Sequence, residues 1–121
     1  MRAPRLDEVL PLFQEGDLPG VQIDVQEAAE WVAEQYGPMQ QWCMVQHWVI
    51  ASVTDLDQPM LYANCVLHDS AGRFAPGSWV RSSPAVEEPK LGVFRTRSTV
   101  YILHGRGAAA EVSLEALLAM H

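Results

Sequence analysis

The sequence predicts an α+β fold in which one antiparallel sheet of about four or five strands packs against an N-terminal amphipathic helix. Apolar side chains in segment 24–36 recur at helical spacing: Val25, Ala28, Ala29, Val32 and Ala33. From residue 41 to residue 104 the chain is instead rich in Val, Ile and Trp, with turn residues at short intervals. That pattern is typical of strands joined by short links. We expect the apolar stripe of the helix and one face of the sheet to bury each other.

The length of 121 residues predicts a single domain over 1–121, in which residues 1–22 form a loosely packed N-terminal arm with a weak helix over 4–13. The main helix should begin after Asp24, because Asp24 and Glu27 form a capping-box-like pair. Gly37 and Pro38 should end it.

Four strands are predicted, over residues 41–53, 60–68, 78–82 and 93–104. Short links between the first three favour an antiparallel meander. Alternation along the first strand places Trp42, Met44, Trp48 and Ile50 on one face, which we expect to lie against the helix. A short helix capped by Ser113 should end the chain.

The charge of the chain is uneven. Of the net charge of -7, residues 1–40 contribute eight acids against two bases, a balance of -6. Such an acidic front end disfavours direct binding to nucleic acid, because phosphates would be repelled. No apolar run approaches the roughly 18 residues of a membrane helix, and the N-terminus lacks the pattern of a signal peptide. We therefore expect a cytoplasmic protein that binds neither membrane nor nucleic acid and keeps its cysteines reduced.

Glu27, Glu30 and Glu34 should line one side of the main helix, and we call this set the acidic ridge. An acidic ridge can occupy a basic surface on another protein. It is also the ordinary solvated face of an amphipathic helix, which is the commoner case.

A second set, which we call the basic face, comprises Arg81, Arg95 and Arg97. Arg95 and Arg97 should alternate on one side of the last predicted strand, and Arg81 would lie beside them if the two strands pair. Three guanidinium groups on one face can bind a carboxylate, a phosphate or an acidic protein surface. The alternative is a solvated sheet face whose arginines pair with nearby acids such as Glu87 and Glu88.

Two cysteines and two histidines raise the question of zinc: Cys43, His47, Cys65 and His68. In strands, Cys43 and His47 would lie about 13 Å apart, and Cys65 and His68 would point to opposite faces. Zinc needs its ligands around one centre, so we predict no metal site and no cofactor. Sequence motifs of nucleotide-binding loops, metalloproteases, serine hydrolases and redox dithiols are also missing, which favours a non-enzymatic function without excluding an enzyme.

Two stretches, GRFAPGSWVRSS over residues 72–83 and FRTRSTVYILHGRG over residues 94–107, resemble a domain family of unknown function found in small bacterial and prophage-borne proteins. The resemblance covers about residues 40–107. The family has no assigned chemistry, so no catalytic role carries over. What the resemblance implies is a setting among accessory genes of mobile elements, whose products tend to be binding proteins.

These observations favour a small acidic protein that acts by binding another protein, for example an inhibitor of a host defence system such as an anti-CRISPR protein. An immunity protein that neutralises a basic toxin is one alternative. A small anion-binding domain or enzyme that uses the basic face is another. Self-association also stays open, because a free edge strand can pair with a second copy.

Overall fold

The computed structural model describes residues 17–54, 56–113, 115–116 and 119. The helix expected over residues 4–13 lies outside these residues. The described chain forms one long helix, α1 (Val25–Tyr36), and seven strands in the order β1 (Asp17–Leu18), β2 (Trp42–Val53), β3 (Met60–Asp69), β4 (Val80–Arg81), β5 (Val93–Arg95), β6 (Val100–Leu103) and β7 (Gly107–Val112). The α+β class is confirmed, but the protein is richer in strands than the four or five we expected.

The long strand β2 forms the centre of the sheet. On one side it pairs with β3, which pairs in turn with β4, and both pairings are antiparallel as the meander predicts. On the other side it pairs with β6 and then with β7, and both of these pairings are parallel. The antiparallel pairs β5–β6 and β1–β7 complete a mostly antiparallel sheet. The expectation of a wholly antiparallel sheet is therefore wrong at β2.

The predicted strand over residues 93–104 is two strands joined by a turn. Thr96 N donates to Thr99 O over 2.9 Å, and Thr99 N donates to Thr96 Oγ1 over 3.2 Å. These bonds close a turn between β5 and β6 and fold them into a hairpin. Threonine hydroxyls form such local bonds in turns, and an alternation of apolar and polar residues does not reveal them.

Helix α1 begins and ends where the sequence predicts. Asp24 is the N-cap, and its Oδ1 accepts a hydrogen bond from Glu27 N over 2.8 Å. Gly37 ends the helix with a φ of 96° and donates its N–H to Ala33 O. Ala28 and Val32 are buried, whereas Val25 is 37 % exposed, so the buried stripe is narrower than the sequence pattern suggests.

The two sides of β2 bury different sets of side chains. Trp42 and Met44 pack with Ala28 and Val32 of the helix, as predicted. Trp48 lies instead with Cys43 and Val45, and half-buried Ile50 packs against that same cluster. The expectation that Trp48 and Ile50 face the helix is wrong, because His47 has a φ of 55° and interrupts the alternation between these residues.

The N-terminal end of the described chain is tied to the sheet, and a local cap lies near its other end. Val21 N donates to Leu103 O over 2.8 Å, and Gly105 N donates to Val21 O over 2.9 Å. With the pairing of β1 and β7, these bonds fix the described part of the arm expected over residues 1–22. At the other end, Ser113 Oγ accepts from Ala116 N over 3.0 Å, as expected for a cap.

Candidate functional site

The acidic ridge points straight away from the sheet. At about 100° per residue, Glu27, Glu30 and Glu34 fall within roughly a 60° arc of the helix, centred about 150° from the midpoint of Ala28 and Val32. All three glutamates are exposed, and those two residues are buried. Over seven residues at about 1.5 Å each, the ridge is about 10 Å long. The predicted grouping of these carboxylates on one helix side is therefore present.

The acidic ridge carries negative charge that no described basic residue compensates. Residues 25–36 include no Lys or Arg, and the last turn of the helix has no basic residue. Gln26 Nε2 donates a hydrogen bond to Glu30 Oε1 over 2.9 Å. Within the described residues, no Lys or Arg forms an ion pair with these three carboxylates. Among the described residues, the ridge thus presents a negative surface without a basic counterpart.

The basic face is not assembled as the sequence predicts. Arg95 is the last residue of β5, and Arg97 lies in the turn that follows. Arg81 lies on β4, which pairs with β3 rather than with β5. The bridge between Ala85 and Thr96 joins the two regions without placing Arg81 opposite Arg95. A three-arginine row on one strand pair is therefore not formed.

Arg95 already has partners inside the protein. Its Nη1 lies 3.2 Å from Glu87 Oε1, and its guanidinium carbon lies 5.3 Å from the centre of the Tyr36 ring. The ion pair is the pairing with a nearby acid that the sequence offered as the alternative to an anion site. Because both charged side chains are about 40 % exposed, this pair contributes little to stability.

An ion pair with a buried carboxylate lies at the end of β3, and the sequence pattern does not predict it. The Asp69 side chain is fully buried and accepts from Arg73 N over 2.6 Å, from Nε over 3.1 Å and from Nη2 over 2.8 Å. Arg73 Nη1 donates further to Thr99 Oγ1 over 3.1 Å. Asp69, Arg73 and Thr99 form what we call the polar clasp, which ties the turn after β3 to the turn before β6.

The pKa values of residues in and beside the polar clasp are shifted, chiefly by burial. Burial raises the pKa of the Cys43 thiol to about 12, and the negative charge of Asp69 adds to the effect. Burial likewise raises the pKa of Tyr101 to about 12. Burial would raise the pKa of Asp69, but the hydrogen bonds from Arg73 outweigh it and hold that pKa below its ordinary value of 3.8. The cluster therefore holds an ionised pair beside a neutral thiol and phenol, a structural arrangement rather than a nucleophilic one.

The cysteines and histidines considered for zinc are dispersed. Cys43 lies opposite Asp69 in the β2–β3 ladder, while the ring of His68 lies 5.1 Å from that of Trp42. His47 is exposed, and Cys65 Sγ accepts from Gln46 Nε2 over 3.6 Å. In the described part of the chain, no three His, Cys, Asp or Glu side chains are grouped so that they could hold a metal ion.

The tryptophans divide between core and surface. Trp42 and Trp48 are buried, and Trp31 lies edge-on to Tyr36 with ring centres 5.8 Å apart. Trp79 is 41 % exposed and stacks on the buried ring of Tyr62 at 6.3 Å. Partly exposed Trp is a residue type enriched in protein interfaces, so Trp79 is a second candidate contact besides the ridge.

A comparison with protein families now assigns the chain. Residues 19–119 match the model of the domain of unknown function DUF6957. The chain belongs to this family. No curated protein and no solved structure matches the chain. Membership of DUF6957 agrees with the unknown-function family that the resemblance implied, while the prophage setting stays a prediction. In the described part of this DUF6957 protein, no helix is long and apolar enough to cross a membrane.

Proposed function

We propose that this protein is a non-enzymatic binding protein that acts in the cytoplasm by occupying a basic surface of another protein with its acidic ridge. The observation that carries the proposal is the exposure of three carboxylates on the side of α1 opposite its buried stripe, with no Lys or Arg on that helix. Complementary charge speeds association and selects partners, which suits a ridge of one sign.

The stability of the helix does not account for the acidic ridge. Glu30 and Glu34 are like charges four residues apart, which destabilises a helix by about 0.2–0.5 kcal/mol. Glu34 also lies in the last turns of the helix, where the macrodipole disfavours a negative charge. Glu27, by contrast, lies in the first turn, where a negative charge is favourable. Two of the three ridge glutamates therefore cost the helix stability, and an external partner explains those two more readily than folding does.

The partner of the proposed function is a protein with a basic groove or patch. An inhibitor of a host defence complex, of the anti-CRISPR kind, would use the ridge to block a nucleic-acid-binding surface. An immunity protein would use it to neutralise a basic toxin. An anion-binding role for the basic face is less well supported, because Arg95 is paired with Glu87 and Arg81 lies on a strand that does not pair with β5.

A charge-removal variant tests the proposal. Glu27→Gln, Glu30→Gln and Glu34→Gln together keep the shape and helix propensity of the surface but remove its charge. Tagged wild-type and variant protein are used to capture proteins from host lysate at about 50 mM and 500 mM salt. We expect a partner that wild type retains at low salt, and that the variant and high salt both release, because the attraction is screened.

A matched control distinguishes the effect of the ridge carboxylates from the effect of net charge alone. Asp57→Asn, Glu88→Gln and Glu111→Gln remove three exposed acids elsewhere. This control should retain the partner, and titration of the purified partner should give an affinity at least tenfold weaker for the ridge variant alone. Equal binding by wild type, ridge variant and control would contradict the proposal, as would capture of nothing. Protection against phage defence or against a toxin then distinguishes the two kinds of partner.

A further inference from the structure

A small apolar depression lies on the side of the sheet opposite α1, so it is separate from the acidic ridge. Its volume is about 160 Å³. Trp48, Ile50 and Leu103 form its floor, Leu18 forms one wall, and Lys90 and Leu91 form the rim. Neither the acidic ridge nor the polar clasp contributes a residue to it.

The floor of the depression is fixed in place. Trp48 and Leu103 are each only 1 % exposed. The indole Nε1 of Trp48 donates to His104 O over 3.2 Å, which sets the orientation of the ring. Gly107 lies directly against that ring, where any added Cβ would collide with it. A floor held in this way does not collapse to fill the space above it.

The rim is held by backbone hydrogen bonds. Lys90 N donates to Val93 O over 3.1 Å, and Val93 N donates to Lys90 O over 3.0 Å. Leu103 N donates to Gly92 O over 2.9 Å, and Gly92 turns the chain with a φ of 75°. These bonds leave Leu91 at the tip of the loop, 68 % exposed beside the depression. The site is therefore formed before any ligand arrives.

The charge beside the depression is positive. Lys90 is exposed, and the structure records no ion pair from its ammonium to any described residue. Glu87, on the same loop, is paired with Arg95. In a protein of net charge -7, a lysine at the rim of an apolar hollow, with no described acid as its ion-pair partner, is a recognition element for an anion with an apolar body.

We propose that this depression binds a small carboxylic acid whose apolar part is about the size of a benzene ring. Cavities of about 150 Å³ lined by Leu, Ile and Phe bind benzene, so a volume of this order accepts one ring. The ring would lie on Trp48 and Ile50 with its edge against Leu91, and the carboxylate would lie beside Lys90. Because the depression is open on one side, we expect weak binding that depends on both parts of the ligand.

Three probes of similar size and different charge test the proposal: benzoate, benzyl alcohol and benzylammonium. Binding is followed by the amide resonances of Leu91, Gly92 and Leu103 and by the indole N–H of Trp48. We expect saturable shifts at these positions with benzoate binding at least threefold tighter than benzyl alcohol and benzylammonium weakest. Lys90→Met should abolish the preference for benzoate and leave benzyl alcohol unchanged, and Lys90→Arg should keep the preference.

Two further variants test the apolar part. Ile50→Phe fills the floor of the depression and should abolish binding of all three probes. Leu91→Ala should weaken the binding of all three. Either variant tests the apolar part if the other fails to fold. Glu88→Gln serves as the charge control and should not weaken benzoate. Equal affinities for the three probes, or an unchanged preference in Lys90→Met, would overturn the carboxylate assignment. Shifts that are absent or spread over the whole protein would overturn the site itself.

Discussion

His47 has the conformation that decides which side chains of β2 meet the helix. Its φ of 55° is rare for a residue with a side chain, because the Cβ crowds the backbone there. The residue is exposed. This one residue brings Trp48 to the same side of β2 as Val45, where it forms part of the floor of the apolar depression.

Replacing His47 with glycine should stabilise the protein. The left-handed conformation costs a residue with a Cβ about 1–2 kcal/mol, whereas glycine adopts it freely and loses about 0.5–1 kcal/mol through its more flexible unfolded state. We expect His47→Gly to raise the free energy of unfolding by about 0.5 kcal/mol in urea denaturation, and His47→Val to lower it by at least 1 kcal/mol.

Ser52, an exposed residue of the same strand, is the matched control for His47. Its φ is not in the positive region, so Ser52→Gly should lower stability by about 0.5–1 kcal/mol. If glycine raises the free energy of unfolding at position 47 and lowers it at position 52, the backbone of His47 is strained. Destabilisation by glycine at both positions would show that it is not.

The glycines show what a single sequence can and cannot predict. Gly37 was predicted to end α1, and Gly72 and Gly77 fall in the link between the strands predicted over 60–68 and 78–82, because turn chemistry is local. The role of Gly107 could not be predicted. The space beside its Cα is filled by the ring of Trp48, which is 59 residues away in the sequence. The positive φ of His47 could not be predicted either, because few residues with a side chain adopt it and nothing in the local sequence marks a turn there.

Helix α1 and the β2–β3 hairpin were predictable because capping, amphipathic spacing and strand composition all lie within short windows. The hairpin formed by β5 and β6 was not, because residues 93–104 have the composition of one long strand. The threonine turn at Thr96 to Thr99 that divides them is stabilised partly by burial, at 3 % and 1 % exposed. This division also removed Arg97 from the strand and dispersed the predicted basic face. The grouping of the acidic ridge, by contrast, follows from helix geometry alone.

The polar clasp should make stability depend on pH in the acid range. Because hydrogen bonds from Arg73 hold the pKa of Asp69 below 3.8, the clasp stabilises the protein fully above that value. Its contribution is then lost as the pH falls from about 3.8 through the lower pKa of the folded state. Asp69→Asn should lower the free energy of unfolding by about 2 kcal/mol at pH 7, since it removes charge-assisted hydrogen bonds to a guanidinium that is one-third exposed.

The difference between wild type and Asp69→Asn should shrink in urea denaturation as the pH is lowered from 5 to below 3. Asp57→Asn, at an exposed position, supplies the control and should change stability by less than about 0.5 kcal/mol at every pH. A difference that stayed constant over this pH range would indicate that Asp69 acts through packing rather than through its charge.

The whole molecule carries more negative charge than its fold requires. The net charge is -7, and the polar clasp and the Arg95–Glu87 pair already use two acids in attractive contacts. The carboxylates of the acidic ridge contribute repulsion without a described counter-charge. A surplus of this kind destabilises the compact state through self-repulsion, and salt relieves it. The depression beside Lys90 is the contrasting region, where a positive charge without a described acid partner lies within this negative field.

Sodium chloride should therefore raise the melting temperature of wild type by a few degrees between about 10 and 200 mM, because screening acts on exposed charges within about 10 Å. The ridge variant, whose net charge is -7 + 3 = -4, should melt higher than wild type at low salt and gain less from added salt. Scanning calorimetry in sodium chloride and choline chloride measures both effects, and equal responses to the two salts exclude binding of a specific cation. If the ridge variant instead melts lower than wild type at every salt concentration, the carboxylates stabilise the fold, and the reason for assigning them to a partner is lost.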